Sequence, residues 1–540
     1  MVGERQTRRQ KDISRLTREQ RQRLRPPRGI IKKASTIHKT TLEVFSRHEK
    51  KEIKAYGISI EEAAGQFQLL KSGVSYVKLV RPARLGDGIL TIPEGDYPTL
   101  TSLHDEAMAA GRMLKFVPAS GAATRMFQDW YDFLKNDQAH PNFLTALEKL
   151  PFYPEIREIM RQKGCDIEDP STRLKRAKEI VAFVLKEGGL NFEHLPKALI
   201  PFHRYASSSR TAIEEHLVEA AMYVRDRKGC CRLHVTVPPD KEDLMKEFLS
   251  HVKPQYEKKY GVTYAIDVSS QSPETDTIAL DARGRLYKDE EGHIVFRPGG
   301  HGALLKNLQA LSGDIVFVKN IDNVVREERL GEIVFWHKVM GGFLLKRERE
   351  IHDLLWEITR GKLEAAQDYV REVMHLELPE KFYRGRPEEK KEILYDLLHR
   401  PIRVGGMVKN EGEPGGGPFW VEMSEGQVSL QIVEEIQVNH ASEEQMRRWR
   451  EATHFNPVDL VLSLRDEKGE HYDLTHFAEP RMAIVTNKSD RGRPIRVLEH
   501  PGLWNGQMAG WITFFVEIPL HTFNPVKTYA DLLRPAHQPG

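Results

Sequence analysis

Pro118-Ala119-Ser120-Gly121-Ala122-Ala123-Thr124-Arg125-Met126 lies between an apolar run, Leu114-Lys115-Phe116-Val117, and a stretch of helical character. Small residues in such a turn let the backbone approach a phosphate, and the next helix offers unpaired N–H groups and a positive dipole end. Arg125 adds a planar fork for phosphate oxygens. Lys197, in Leu195-Pro196-Lys197-Ala198-Leu199-Ile200-Pro201, is a cation held on a rigid, extended segment by its flanking prolines. In Arg297-Pro298-Gly299-Gly300-His301-Gly302, a glycine turn after a strand presents backbone groups to a base or ribose, with His301 a donor to a ribose hydroxyl. The strand pattern Ile315-Val316-Phe317-Val318-Lys319 ends in Asn320-Ile321-Asp322-Asn323. Asp322 then stands at the carboxyl end of a sheet strand, where α/β proteins bind ligands. One carboxylate together with phosphate oxygens is a usual way to hold Mg²⁺. Lys527, in Phe523-Asn524-Pro525-Val526-Lys527-Thr528, sits on a return that can reach back into a cleft, and the glycine-rich region Gly405–Gly412 and Gly415–Pro418 can close over a ligand. Each piece alone also reads structurally, as a packed turn, a chance Pro-Lys pair, an Asx turn or a flexible loop.

Other chemistries find no support. There is no Gly-Lys-Ser/Thr at P-loop spacing, no Gly-x-Gly-x-x-Gly, no His-Glu-x-x-His, no Gly-x-Ser-x-Gly and no Cys-x-x-Cys. Three cysteines, Cys165, Cys230 and Cys231, cannot build a disulfide framework or a four-cysteine zinc site. That usage, with no apolar core of a signal peptide at the start, fits a reduced, cytoplasmic compartment. No uncharged apolar run approaches the ~18 residues of a membrane span. With 40% hydrophobic and 29% charged residues, the 540-residue chain has a globular composition. The net charge of +3 hides an asymmetry: residues 1–33 carry twelve Lys/Arg against three acidic residues, leaving the remainder at about −6. A mildly acidic body argues against a nucleic-acid-binding body. The basic arm reads as a solvated leader, with contact to RNA or anionic lipid the alternative.

The elements that must position these groups alternate. Strand candidates at Leu114–Val117, Leu233–Val237, Tyr264–Val268, Ile294–Phe296 and Ile315–Lys319 are separated by helical patterns, which predicts α/β with a largely parallel sheet. Residues 40–110 read as mainly helical with a poorly periodic stretch at Val77–Leu90. Residues 331–400 read as a helical insertion, and β character returns at Phe419–Val421, Ser429–Val433, Val458–Leu464 and Trp511–Ile518. The expected partition is an arm (1–50), a helical segment (51–110), a nucleotide-binding half (111–330), the insertion (331–400) and a sugar-binding half with a C-terminal return (401–540).

The order of the pieces is more specific than any one of them. Ala119–Met126, Pro196-Lys197, Gly300-His301-Gly302, Asn320-Ile321-Asp322-Asn323 and Pro525-Val526-Lys527-Thr528 together resemble the UDP-sugar pyrophosphorylases, within the sugar nucleotidylyltransferases of GT-A-like fold. Val117–Phe127, Gly406–Trp420 and Leu503–Val516 resemble, more closely, an uncharacterised bacterial family with a domain of unknown function assigned to that fold superfamily. The resemblance implies a phosphate-holding loop at Ala119, Ser120, Gly121 and Ala122, with Arg125 and Lys197 balancing triphosphate charge. It implies base and ribose contacts at Gln271, Gly300, His301 and Gly302, and sugar contacts at Gly406 and Glu434. Asp322 would hold Mg²⁺, Asp459 would be a second metal candidate, and Lys527 would meet the reacting phosphate. The family's Gly-Gly-x-Gly-Thr-Arg loop reads Ser120-Gly121-Ala122-Ala123-Thr124-Arg125 here, and the Cβ atoms at Ser120 and Ala123 narrow the space for phosphate. The segment after Pro201 is also longer and more basic than the family's. The reaction implied is formation of an NDP-sugar and pyrophosphate from a sugar 1-phosphate and an NTP, UTP favoured. The alternatives are a non-catalytic nucleotide-sugar sensor on the same fold, a different nucleotidyl or glycosyl transfer, or an RNA-associated factor using the basic arm.

Overall fold

The computed structural model describes residues 44–539 except 75, 122, 137–141, 413–414 and 424–425. The basic segment 1–33 and Ala122 therefore lie outside the described residues.

A ten-stranded sheet forms the centre. Nine of its strands make one continuous path: β1 (Arg84–Leu85), β2 (Gly88–Leu90), β3 (Met113–Pro118), β4 (Cys230–Val237), β5 (Thr263–Ser270), β6 (Ile315–Lys319), β7 (Ile402–Lys409), β8 (Asp459–Ser463) and β9 (Ile512–Glu517). Their order across the sheet is β1-β2-β9-β7-β8-β6-β3-β4-β5, and His454–Phe455 pairs with β7 at the side. Along that path all neighbours are parallel except around β8, which runs antiparallel to both β6 and β7, and His454–Phe455 is antiparallel to β7. The architecture is thus mixed α/β with a mostly parallel sheet, as the alternation of elements predicts.

β3, β6 and β8 are buried along their whole length, which is why they read as continuous apolar runs. Successive side chains point to opposite faces. Met113, Val117, Ile315, Phe317 and Val461 therefore feed one core, and Leu114, Phe116, Val316, Val318, Leu460 and Leu462 feed the other. The first core is covered by α1 (Tyr97–Ala109), α2 (Ala212–Tyr223) and α3 (Leu330–Thr359). A capping box fixes the start of α2: the Thr211 side chain accepts from the Glu214 N–H, and the Glu214 carboxylate accepts from the Thr211 N–H. The helical stretch after residue 330 thus begins with a core element. It continues through α4 (Pro387–Leu398), which leads into β7.

α3 crosses α1 at Gly341-Gly342. A Cβ at Gly342 would lie 1.8 Å from the Leu100 carbonyl oxygen, and one at Gly341 2.7 Å from His104 Cδ2. Backbone cannot yield as a flexible side chain can. Gly342→Ala is expected to destabilise the protein by about 1–3 kcal/mol or more, read as a lower midpoint of chemical unfolding. An unchanged midpoint would show that the two helices have freedom to separate.

The poorly periodic stretch Val77–Leu90 resolves into Lys78–Pro82, β1 and β2. Strands of two to five residues are too short to display a period. Lys78–Pro82 joins Gly417–Glu422 and Val428–Val433 in a three-stranded sheet. Phe296–Arg297, Thr277–Asp281, Arg493–Glu499 and Ile484–Asp490 form a separate four-stranded sheet. No helix among the described residues is long and apolar enough to cross a membrane.

Candidate active site

β6 leaves the sheet at Lys319, and three residues later Asp322 meets two lysines brought from distant parts of the chain. Its Oδ2 accepts from Lys197 Nζ at 3.0 Å and from Lys527 Nζ at 3.0 Å. Lys197 Nζ also donates to the Val526 carbonyl at 3.0 Å. Both Lys197 and Asp322 are largely buried, whereas about half of the Lys527 side chain is exposed. Burial works against the Asp322 charge, but Lys527 and Lys197 outweigh it, so its carboxyl is held below the ordinary carboxylate range. Burial lowers Lys197, and the attraction of Asp322 offsets this only in part. The other oxygen, Asp322 Oδ1, is buried and has no hydrogen-bond partner.

Backbone contacts fix these groups. The Asp322 carbonyl accepts from the Val526 N–H at 3.0 Å, and Asn323 Oδ1 from the Asn524 N–H at 2.9 Å. Asp531 accepts the N–H groups of Lys527 and Thr528, holding the Lys527 turn. The phosphate-loop candidate reaches the same place. The Ala119 N–H donates to the Thr236 carbonyl at the end of β4. The Ile321 N–H donates to the Pro118 carbonyl, and the Lys197 N–H to the Gly121 carbonyl. Ala119–Gly121, Lys197, Asp322 and Lys527 thus gather at the carboxyl ends of the parallel strands. Arg125 is exposed, in a short 3₁₀ turn at Ala123–Phe127.

Beside this cluster opens a cleft of about 710 Å³, with Asn320, Lys527, Glu434, Trp504 and Gly415–Gly417 in its lining. Trp504 stacks on His301 with ring centroids 4.3 Å apart, and His301 Nε2 lies 3.5 Å from Glu434 Oε1. The Leu503 N–H donates to His301 Nδ1, which fixes the tautomer of the neutral ring with its proton on Nε2, toward Glu434. Gln271 Nε2 approaches the Gly300 carbonyl at 3.4 Å. Gly302 packs against backbone, where a Cβ would lie 2.0 Å from the Pro501 carbonyl oxygen. Gly406 is buried in β7 under Ile518 and does not line the cleft. Val458, also in the lining, has φ 58°, a conformation costly for a β-branched residue. The Asn456 side chain accepts its N–H at 2.6 Å and holds it there.

Asp459 does not join Asp322. It opens β8 opposite Lys319, and its Oδ1 lies 3.0 Å from His337 Nε2 of α3. There it belongs to a polar network inside the first core. Glu219 of α2 accepts from Lys115 Nζ at 2.7 Å and from Lys319 Nζ at 2.7 Å, all three side chains being essentially inaccessible. Lys115 Nζ also donates to the His216 carbonyl, and His216 Nε2 to the Ile321 carbonyl, next to Asp322. Burial brings Lys115 down to about 8 against the pull of Glu219. Burial would raise Glu219, but Lys115 and Lys319 hold it far below its ordinary range.

Sequence reasoning missed Trp504, His216 and Glu219. A lysine at Lys115 inside an apolar strand was the one available signal for the network, since a buried cation requires a buried anion.

Among the described residues Asp322 is the cluster's carboxylate, and its orphaned Oδ1 is a donor atom of the type Mg²⁺ takes. The site fits a cation that shares its coordination with phosphate oxygens.

No curated protein matches the chain in sequence. The solved structures to which the chain is similar include UDP-sugar pyrophosphorylases. The uridine diphosphate N-acetylglucosamine pyrophosphorylase of Trypanosoma brucei is 14% identical, with 94% of this chain and 82% of that one covered and a TM-score of 0.41. The UDP-glucose phosphorylase of Trypanosoma brucei is 12% identical, with 90% and 77% covered and a TM-score of 0.43. The UDP-glucose pyrophosphorylase of Leishmania major is 12% identical, with 90% and 77% covered and a TM-score of 0.43. A family model matches residues 46–538, and the chain belongs to that family, described as Domain of unknown function (DUF4301).

Proposed function

We propose that this protein is a nucleotidyltransferase that joins an NTP to a sugar 1-phosphate, releasing pyrophosphate. The observation that carries the reading is the meeting of Lys197 and Lys527 on Asp322, whose second oxygen is buried and unpartnered, at the strand ends beside a cleft. The motif order that resembles the uridylyltransferases favours UTP.

In the reaction, an oxygen of the sugar phosphate attacks the α-phosphorus of the NTP, a new P–O bond forms, and the bond to the β-phosphate oxygen breaks. The nucleophile is already an anion, so no general base is required. The barrier comes from gathering negative charge and aligning the reactants. Asp322 holds Lys197 and Lys527 in place as a stand-in anion. Phosphate oxygens take over as partners of these lysines, with the exposed Arg125 available to the triphosphate. Asp322 would hold Mg²⁺, which when bound would supply further neutralisation of the phosphate oxygens. The backbone of Ala119–Gly121 approaches the nucleotide phosphates. Glu434 and Trp504 line the cleft, with His301 stacked on Trp504, and offer a sugar a partner for its hydroxyls and an apolar face.

The test is pyrophosphate release with Mg²⁺ across the four NTPs and a panel of sugar 1-phosphates. Release dependent on one pair, UTP with a hexose or N-acetylhexosamine 1-phosphate, is expected. Silence across the panel from folded protein would overturn the reading.

A further inference from the structure

We propose that His399, Asp466 and Glu467 form a second cation site, built for a divalent ion of the zinc class and remote from Asp322. His399 follows α4. Asp466 and Glu467 lie in the turn after β8, closed by the Arg465–His471 bridge. β8 begins near the cleft at Asp459 and ends at Ser463, so the cluster lies at the opposite end of the sheet.

Three ligand atoms face one another there. His399 Nε2 is 3.5 Å from Asp466 Oδ2 and 3.6 Å from Glu467 Oε2. Two atoms each about 2.1 Å from an ion, at a tetrahedral angle, are about 3.4 Å apart. The observed spacing fits that geometry. An imidazole ligand disfavours Mg²⁺ and Ca²⁺, which take oxygen. A protonated imidazole between two carboxylates is the competing account, but these separations are too long for good hydrogen bonds.

The second observation is what the atoms lack. His399 Nε2 and Glu467 Oε2 are covered from solvent and have no hydrogen-bond partner. The Asp466 side chain is nine-tenths buried. The opposite oxygens, by contrast, are held. Asp466 Oδ1 accepts the N–H groups of Lys468 and Glu470, each at 2.9 Å. Glu467 Oε1 accepts from Tyr395 O–H at 3.2 Å, with Lys468 Nζ 3.4 Å away. The His399 ring stacks on Tyr395 at 4.9 Å. Outer partners that orient the two carboxylates, with His399 Nε2 and Glu467 Oε2 left free, are what a metal site requires. An ion there pins the end of α4 to the β8 turn.

The experiment uses the full chain, stripped with a chelator and titrated with Zn²⁺ by calorimetry, with Mg²⁺ and Ca²⁺ as competitors. One Zn²⁺ per chain and a raised thermal midpoint are expected, neither competitor displacing it. His399→Gln and Glu467→Gln should each weaken uptake at least about tenfold. Glu467→Gln keeps the shape of the side chain and serves if His399→Gln fails to fold. Asp322→Asn should leave Zn²⁺ uptake intact, so the outcome is separate from the fate of the nucleotidyl-transfer reading. No uptake by folded protein, uptake unchanged in the foldable variants, or uptake lost only in Asp322→Asn would overturn the proposal.

Discussion

Replacing Asp322 by Asn is expected to lower turnover by about 10²–10³, the scale set by removing one preorganised charge-stabilising group. The substitution keeps the size and one oxygen of the side chain but removes the charge that gathers Lys197 and Lys527. It also removes the carboxylate proposed to hold Mg²⁺. A separate readout distinguishes this from simple unfolding. Without Mg²⁺, the lysines of the variant have no carboxylate competing for them, so a nucleotide triphosphate should bind more tightly than to the wild type. Lys527→Ala should show the converse, with turnover reduced on the same scale and metal-free binding weakened. About half of the Lys527 side chain is exposed, so its loss should leave the folded state intact by circular dichroism. Near-normal turnover in both variants would sink the assignment.

Glu219→Gln is expected to be the most destabilising single change in the core. Glu219 is the carboxylate between Lys115 and Lys319, and all three side chains are inaccessible. Breaking a buried pair by removing one partner costs about 3–5 kcal/mol, because the remaining charge stays uncompensated. Here two cations lose their partner. Replacing Lys115, Glu219 and Lys319 together by methionines should cost less than Glu219→Gln alone, since no orphaned charge remains. The pH dependence follows from the depressed Glu219 carboxyl. Its stabilisation is fully present above the ordinary carboxylate range and is lost as pH falls through and below that range. Chemical unfolding followed from pH 7 downward should therefore show a shallower acid loss in Glu219→Gln. Equal acid slopes in the two proteins would refute this role.

The strand at Ile315–Lys319 was legible because burial on both faces leaves a continuous apolar run, Ile315–Val318, and the one at Leu233–Val237 by its Leu, Val and Val at alternate positions. The motifs at strand ends were legible because proline, glycine and strand ends constrain backbone locally. That Lys197, Asp322 and Lys527 come within hydrogen-bonding distance required the order of motifs and their resemblance to known enzymes, since no local pattern encodes a contact across 205 residues. Trp504 was invisible for the same reason: its importance lies in stacking on His301, some 200 positions earlier. Glu219 resembled any polar residue of an amphipathic helix, because burial of both its faces depends on how α2 meets the sheet. Asp459 was drawn toward the metal by its place at a strand end. The reversed direction of β8 does bring it to the ligand-binding end, but its side chain meets His337 under α3.

The backbone bond from Val526 to Asp322 and the Asn323–Pro525 bridge also set an order of events during synthesis. Lys527 is translated 205 residues after Asp322. While the ribosome is still making the intervening chain, Asp322 and Lys197 have emerged, but the segment carrying Lys527 and the Val526 carbonyl does not yet exist. A nascent chain stalled before that segment lacks one of the two lysines that meet Asp322. On the proposed reading, a chain stalled before Pro525–Thr528 should bind nucleotide poorly, since that segment brings the second lysine to Asp322.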